Sequence, residues 1–110
     1  MASDKRASQE LIGSELIQED ASYADIVVQF VDGLSRRLTV MEDAVREADL
    51  DALRAAAHQL KGSGGGYGYP ILTELARELE ERAKAGSLEE CVMQVDELKE
   101  LARRIVVSVD

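Results

Sequence analysis

The chain has no tryptophan, one phenylalanine, one cysteine, one histidine and one proline among its 110 residues. Each scarcity excludes something. A single cysteine cannot close an internal disulfide, and with a single histidine it cannot assemble a zinc cluster. Cys91 sits in an apolar helical pattern and reads as a small buried side chain in a reducing compartment. With so few aromatics, the core must come from aliphatic residues and alanine, and the length suits one domain with one modest core. No hydrophobic run approaches the ~20 residues of a membrane span. Met1-Ala2-Ser3-Asp4-Lys5-Arg6 does not lead into a signal-peptide apolar region. A cytoplasmic chain with no membrane contact is expected. Positive charge is also short, with 13 Lys and Arg against 22 Asp and Glu and a net charge of −9. Nucleic-acid binding relies on basic side chains to neutralise phosphates, so that class is disfavoured. A protein partner with a basic rim fits better, but composition alone does not separate an enzyme from a binding module.

Helical periodicity is abundant. Residues 1–10 are polar and unpatterned, which predicts a disordered tail, and the domain is expected over residues 11–110. Leu11, Ile12, Leu16 and Ile17 form a short apolar pattern broken by Gly13 and Ser14, suited to a short helix or an extended arm. From Ser22 to about Ala48, apolar residues recur at three- and four-residue steps and predict one long helix. Ser22 and Asp25 have capping-box spacing, and Gly33 marks a candidate bend. Ile26, Val27, Val28, Phe30 and Val31 make an apolar band wider than one buried seam requires. Asp49 is placed to cap a second helix, in which Leu50, Leu53, Ala57, Leu60, Gly64 and Tyr67 form a regular seam. Pro70 suits the first turn of a third helix, with Leu72, Leu75, Leu79 and Ala83 on its seam and Gly86 as its stop. Ser87 is expected to cap a last helix whose stripe runs from Leu88 through Ile105 to Val109. Four amphipathic helices, short connections and no alternating strand pattern predict an all-α, antiparallel up-and-down four-helix bundle with a short N-terminal helix or arm.

The one histidine lies in His58-Gln-Leu-Lys61-Gly62-Ser63-Gly64-Gly65-Gly66-Tyr67-Gly68-Tyr69-Pro70, which holds five of the eight glycines. At about 100° per residue, His58 falls about 130° from the centre of the seam. Asp51, Arg54, Gly62 and Gly65 share its outward side, with Lys61 between them and the core. A packed core histidine is therefore disfavoured. Lys61, at i+3, can set a positive charge beside the ring. Gly62, at i+4, removes the side chain that would stand against it. Helical glycine costs about 1 kcal/mol against alanine, so access or close packing must account for the run. It is no P-loop, because Lys61 precedes the glycines. It is no dinucleotide fingerprint, because Tyr67 stands where a third glycine is needed and no strand precedes it.

The His58-x-Leu-Lys61-Gly62 core with its downstream glycine resembles the signature of histidine-containing phosphotransfer (HPt) domains, carriers in two-component phosphorelays. The resemblance spans about Leu11 to Val107 in helix count and order. It implies that His58 is phosphorylated, that Lys61 stabilises the phosphoryl group and that Gly62 gives the partner room. Members often carry a Glu or Gln on the next helix that orients the imidazole, and by position this falls on Glu80. Glu80 also follows core Leu79 at the seam's edge, while Glu78 and Glu81 are nearby competitors. The implied docking surface is Arg54, Gly62, Ser63 and Gly65. The implied partner is a receiver domain of a response regulator or hybrid histidine kinase, which supplies the aspartate and Mg²⁺. The chain would need no cofactor or metal of its own, would lack kinase activity, and is expected to be a monomer. A free carrier is expected from where the chain starts and stops. Rival readings are the phosphoacceptor domain of a chemotaxis-type histidine kinase, a non-catalytic helical adaptor, and a pH-sensing interaction module.

Overall fold

The computed structural model describes residues 10–109. Five α-helices lie among them: α1 (Glu15–Glu19), α2 (Ala24–Arg46), α3 (Leu50–Gly66), α4 (Pro70–Lys84) and α5 (Leu88–Ala102). A 3₁₀ turn at Ala21–Tyr23 leads into α2. The expected disordered tail lies outside the described residues, apart from Glu10. The four long helices contact one another in a ring, α2 on α3, α3 on α4, α4 on α5 and α5 on α2. Val27, Leu34, Met41, Leu53, Leu60, Leu72, Leu79 and Leu98 fill its interior, with Cys91 fully buried as its pattern requires.

The α3–α4 contact is the most extensive, and small residues explain why. Ala57 and Gly64 on α3, and Ala76 and Ala83 on α4, are buried where larger side chains would hold the helices apart. A Cβ on Gly64 would stand 2.9 Å from Leu72 Cβ and 3.1 Å from the Thr73 amide nitrogen. Close packing thus accounts for Gly64. Gly33 meets nothing within 4 Å and lies inside an uninterrupted α2.

Three helices end in one motif. In each, the amide three residues past the last helical residue bonds back to a carbonyl of the last turn, and the residue before it takes a left-handed conformation. After α3 the pair is Tyr69 N–H to Gly64 C=O at 2.9 Å, with Gly68 at φ 96°. After α4 it is Ser87 N–H to Arg82 C=O at 3.2 Å, with Gly86 at φ 78°. After α2 it is Asp49 N–H to Ala44 C=O at 2.8 Å, with Ala48 at φ 54°. Ala48 accordingly lies outside α2, which stops at Arg46 rather than at Ala48.

The caps divide in the same way. Asp49 Oδ1 accepts from Ala52 N–H at 3.0 Å, as its position suggests. Ser22 does not cap α2, because Asp20 accepts from the Ser22 amide and the intervening residues form the 3₁₀ turn. Ser87 precedes α5 without a side-chain cap bond.

The last helix is shorter than its apolar stripe. It ends at Ala102, and residues 104–107 pair with the N-terminal arm instead. Ile12 bonds to Arg104 C=O at 2.6 Å and to Val106 N–H at 2.9 Å, while Ser14 N–H donates to Val107 C=O at 3.1 Å. Ile105, Val106 and Val107 are β-branched and suit extended backbone. Tyr69 adds a hydroxyl bond to Val106 C=O at 2.7 Å. The arm also covers the α3–α4 turn. Buried Ser14 donates to Tyr67 C=O at 2.6 Å and caps α1, and Glu15 N–H donates to Gly68 C=O at 2.9 Å. Beneath it, Phe30 stacks on Tyr67 and Tyr69, with ring centroids 4.7 and 5.8 Å apart. Ile12, Leu16 and Ile17 therefore cover the body of the domain.

A Cβ on Gly68 would collide with Ser14 Oγ and stand 2.7 Å from the Glu15 amide nitrogen. Gly68→Ala is expected to lose at least about 1–3 kcal/mol from left-handed backbone strain, before that collision is added. Ala48→Gly should gain up to about 1 kcal/mol by relieving the same strain. Urea denaturation of both variants measures this, and shifts of the same sign would refute the account of these helix ends.

Candidate functional site

His58 projects from the middle of α3 with 66% of its side chain exposed, while the seam residues Leu53, Ala57, Leu60 and Gly64 are buried. The outward placement read from the helical wheel holds. Nδ1 lies 2.9 Å from Glu80 Oε2 on α4. Glu80 is only 4% exposed, an unusual position for a carboxylate, and cations on both helices meet it. Lys61 Nζ stands 2.6 Å from Oε1, and Lys84 Nζ stands 3.9 Å from Oε2. The hydrogen bond from Lys61 holds the Glu80 pKa below its ordinary value, against the opposing effect of burial and with help from His58 and Lys84.

An ionised carboxylate only accepts hydrogen bonds, so the 2.9 Å contact calls for the proton on Nδ1. A neutral ring held in this way keeps its lone pair on Nε2, away from Glu80. The competing carboxylates do not take this place. Glu78 accepts from Gln94 Nε2 on α5 at 3.2 Å, and Glu81 is exposed.

The two lysines are held unequally. Lys61 is 31% exposed beside a buried charge, whereas Lys84 is 59% exposed. Taking its cation from a buried carboxylate costs up to about 3–5 kcal/mol. An exposed pair contributes at most about 1 kcal/mol. Lys84 had a sequence signal, since it follows Glu80 by four residues on one helix.

Around the ring, Arg54 and Gly62 are exposed. A Cβ on Gly62 would meet nothing within 4 Å, so the space one turn after His58 is open. Ser63 turns its hydroxyl back to Gln59 C=O at 2.9 Å. Gly65 faces outward but also packs, since a Cβ there would stand 3.2 Å from Thr73 Oγ1.

Thr73 was not among the residues singled out from the sequence. Its hydroxyl donates to Lys61 C=O and accepts from Gly65 N–H, both at 2.8 Å. Those two groups are i−4 and i in α3, the pair that an undisturbed helix joins directly. A side chain of α4 thus bridges the ladder of α3 starting one turn after His58 and ties the two helices together at the site.

Among the described residues, no group of three or more His, Cys, Asp or Glu side chains could hold a metal ion. No helix there is long and apolar enough to cross a membrane.

Comparison with protein families matches residues 25–106 to the Hpt domain. The chain belongs to the Hpt family. Membership implies histidine phosphotransfer in phosphorelays and interaction with receiver domains of response regulators. Hpt domains are phosphocarriers without catalytic domains of their own. The matched span runs from the start of α2 through the segment after α5, so it contains His58, Lys61, Glu80 and Lys84. Neither the curated proteins nor the solved structures gave a match.

Substitutions at two positions test this Hpt site's construction. Thr73→Val keeps the side-chain shape but removes the bridge, and should cost about 1–2 kcal/mol, with Thr73→Ser closer to wild type in urea denaturation. Equal stability of all three would show the bridge to be idle. A carboxyl held below its unfolded pKa adds stability that is complete above that pKa and lost as pH falls through the folded value. Wild-type stability should therefore fall below the ordinary glutamate value of 4.5 more steeply than that of Glu80→Gln. Parallel pH profiles would contradict the ionised, cation-held carboxylate.

Proposed function

We propose that this protein carries a phosphoryl group on His58 Nε2, taking it from an aspartyl phosphate of one receiver domain and passing it to the aspartate of another. The observation that carries this reading is the contact between His58 Nδ1 and buried Glu80, which leaves Nε2 as the free nitrogen of a largely exposed ring. In the accepting direction, the Nε2 lone pair attacks phosphorus as the bond to the aspartyl oxygen breaks. The bonding pair returns to the aspartate carboxylate. Nδ1 keeps its proton, so the phosphorylated ring bears positive charge beside the Glu80 carboxylate. Glu80 orients the nucleophile and compensates the charge that develops on it. Reversal of these steps delivers the group.

Lys61 adds positive charge next to the ring and also holds Glu80 in its ionised form. Phosphoryl transfer depends mainly on positioning and charge stabilisation. We assign the acceptor or donor aspartate and Mg²⁺ to the receiver, whose cation would neutralise phosphoryl oxygens. The one carboxylate against the ring is already committed to Lys61 and His58. Docking on this reading uses Arg54, Gly62, Ser63 and Gly65, with Gly62 as the point of closest approach. The ring of helix contacts and the short connections support an antiparallel up-and-down arrangement. The carrier is placed in the cytoplasm, as a monomer without its own kinase activity or nucleic-acid partner. A structural adaptor with an incidental histidine would have no use for a buried carboxylate held against that ring.

Incubation with a phosphorylated receiver should give an acid-labile, base-stable label on the wild-type chain. His58→Gln should take none while retaining its helical circular dichroism. Label on that variant would show another residue to be the acceptor, and a wild-type chain labelled by no receiver would end the carrier reading. Gly62→Glu should separate stability from docking. It relieves a helical glycine, worth up to about 1 kcal/mol, yet should abolish receiver binding in a titration. Undiminished binding would remove Gly62 from the interface.

A further inference from the structure

The contact between His58 and Glu80 joins two helices, so it depends on how far one stands along the other. We propose that Thr73 is a positioning residue for phosphotransfer: its hydroxyl sets the register of α4 on α3 that brings Glu80 to His58 Nδ1. This rests on the reading of His58 as the carrier and extends it to a residue outside the His-x-Leu-Lys-Gly motif.

Glu80 meets His58, and Thr73 meets Gly65. Glu80 follows Thr73 by seven residues, and Gly65 follows His58 by seven. Seven residues make about two turns, so each pair of positions lies on nearly one face, about 10 Å apart along the axis. The later residue of one helix pairs with the earlier residue of the other, and both contacts stand in one register. A slide of α4 along α3 that opens one therefore opens the other. Along the stripe that carries the site, little else resists such a slide. Thr73, Ala76, Glu80 and Ala83 recur on α4 at three- and four-residue steps. Buried Ala76 and Ala83 let the backbones approach but offer no large side chain to interlock. Glu80 cannot set its own place, because its carboxylate ends a flexible side chain. Thr73 branches at Cβ and is stiffer. Its partners, Lys61 C=O and Gly65 N–H, are backbone groups, each at 2.8 Å, and cannot rotate away. A Cβ on Gly64 or Gly65 would stand 3.2 Å from Thr73 Oγ1, so glycine at both positions leaves this hydroxyl its room. Lys61 is then gripped twice by α4, at its carbonyl by Thr73 and at its ammonium by Glu80, 2.6 Å away. Without the bridge, Lys61 C=O and Gly65 N–H can close on each other as in an ordinary helix. The stripe then loses its polar hold on the backbone of the histidine helix. Only the ring with its proton on Nδ1 offers the Nε2 lone pair to phosphorus, so the transfer rate follows the share of that tautomer.

The test has a spectroscopic and a kinetic readout. Nitrogen NMR of the unphosphorylated chain, at a pH where the ring is neutral, should find the proton on Nδ1 in the wild type and in Thr73→Ser. Thr73→Val should show a mixture of the two tautomers. Transfer from a phosphorylated receiver is followed as the receiver concentration rises. Its saturated rate should fall about tenfold in Thr73→Val, with the half-saturating concentration unchanged and Thr73→Ser close to wild type. Circular dichroism checks that each variant is folded. If Thr73→Val is not, Thr73→Ser against Thr73→Ala isolates the hydroxyl in the same way. An Nδ1 proton fully retained in Thr73→Val would overturn the proposal, by reducing Thr73 to a stabilising contact. A changed tautomer with an unchanged saturated rate would also overturn it, as would an effect confined to the half-saturating concentration. A wild-type chain labelled by no receiver would end the carrier reading and the kinetic claim with it, while the tautomer comparison still decides whether Thr73 positions the ring.

Discussion

A carboxylate stays ionised in the seam between two helices only where cations reach it. Glu80 meets that condition, and much of the domain's local construction follows from it. The short Glu side chain must span the gap from α4 to a ring on α3, which requires the helices to lie close together. Ala57, Gly64, Ala76 and Ala83 supply the closeness. Thr73 then ties the helices together at Lys61, the residue whose ammonium holds the carboxylate. The imidazole is thus oriented by a charge, the charge is held by a lysine, and the lysine's backbone is fixed by the opposing helix. Each link is local, and each depends on the one beneath it.

The surroundings of the ring show how a carrier can be exposed without being loose. His58 stands out from α3, yet one nitrogen is anchored in the interior. Nearby glycines serve different ends. Gly62 leaves open space, Gly64 permits helix contact, and Gly68 admits the arm. A single sequence run carries all of these because the helix turns each successive glycine toward a different environment.

The sequence showed the parts that follow helical periodicity. The four seams, the outward position of His58, the Asp49 cap, the start at Pro70 and the stop at Gly86 all follow from spacing and backbone chemistry. Glu80 was legible from the family resemblance, with its place beside core Leu79 in support, although only the structure separated it from Glu78 and Glu81. Other features have no period to read. The Thr73 bridge joins side chain to backbone across two helices, and neither helix's own pattern records it. Ala48 occupies a left-handed position where glycine is the usual sign. Ile105 and Val109 continue the three- and four-residue spacing of α5, so the stripe alone favoured a longer helix. Competition from the arm's backbone groups decided otherwise.

The pairing of Ile12 with Ile105 bears on how the chain reaches this structure. Contacts within and between successive helices close short loops, while this bridge closes almost the whole chain. Contacts far apart in sequence raise the contact order, and their loop-closure entropy must be met before they stabilise anything. The helices can therefore form and associate before the two ends meet, and joining the arm to the tail becomes a late event in folding. Loosening of that clasp would be a partial unfolding that uncovers Gly68 and the end of the histidine helix while the rest of the core stays packed.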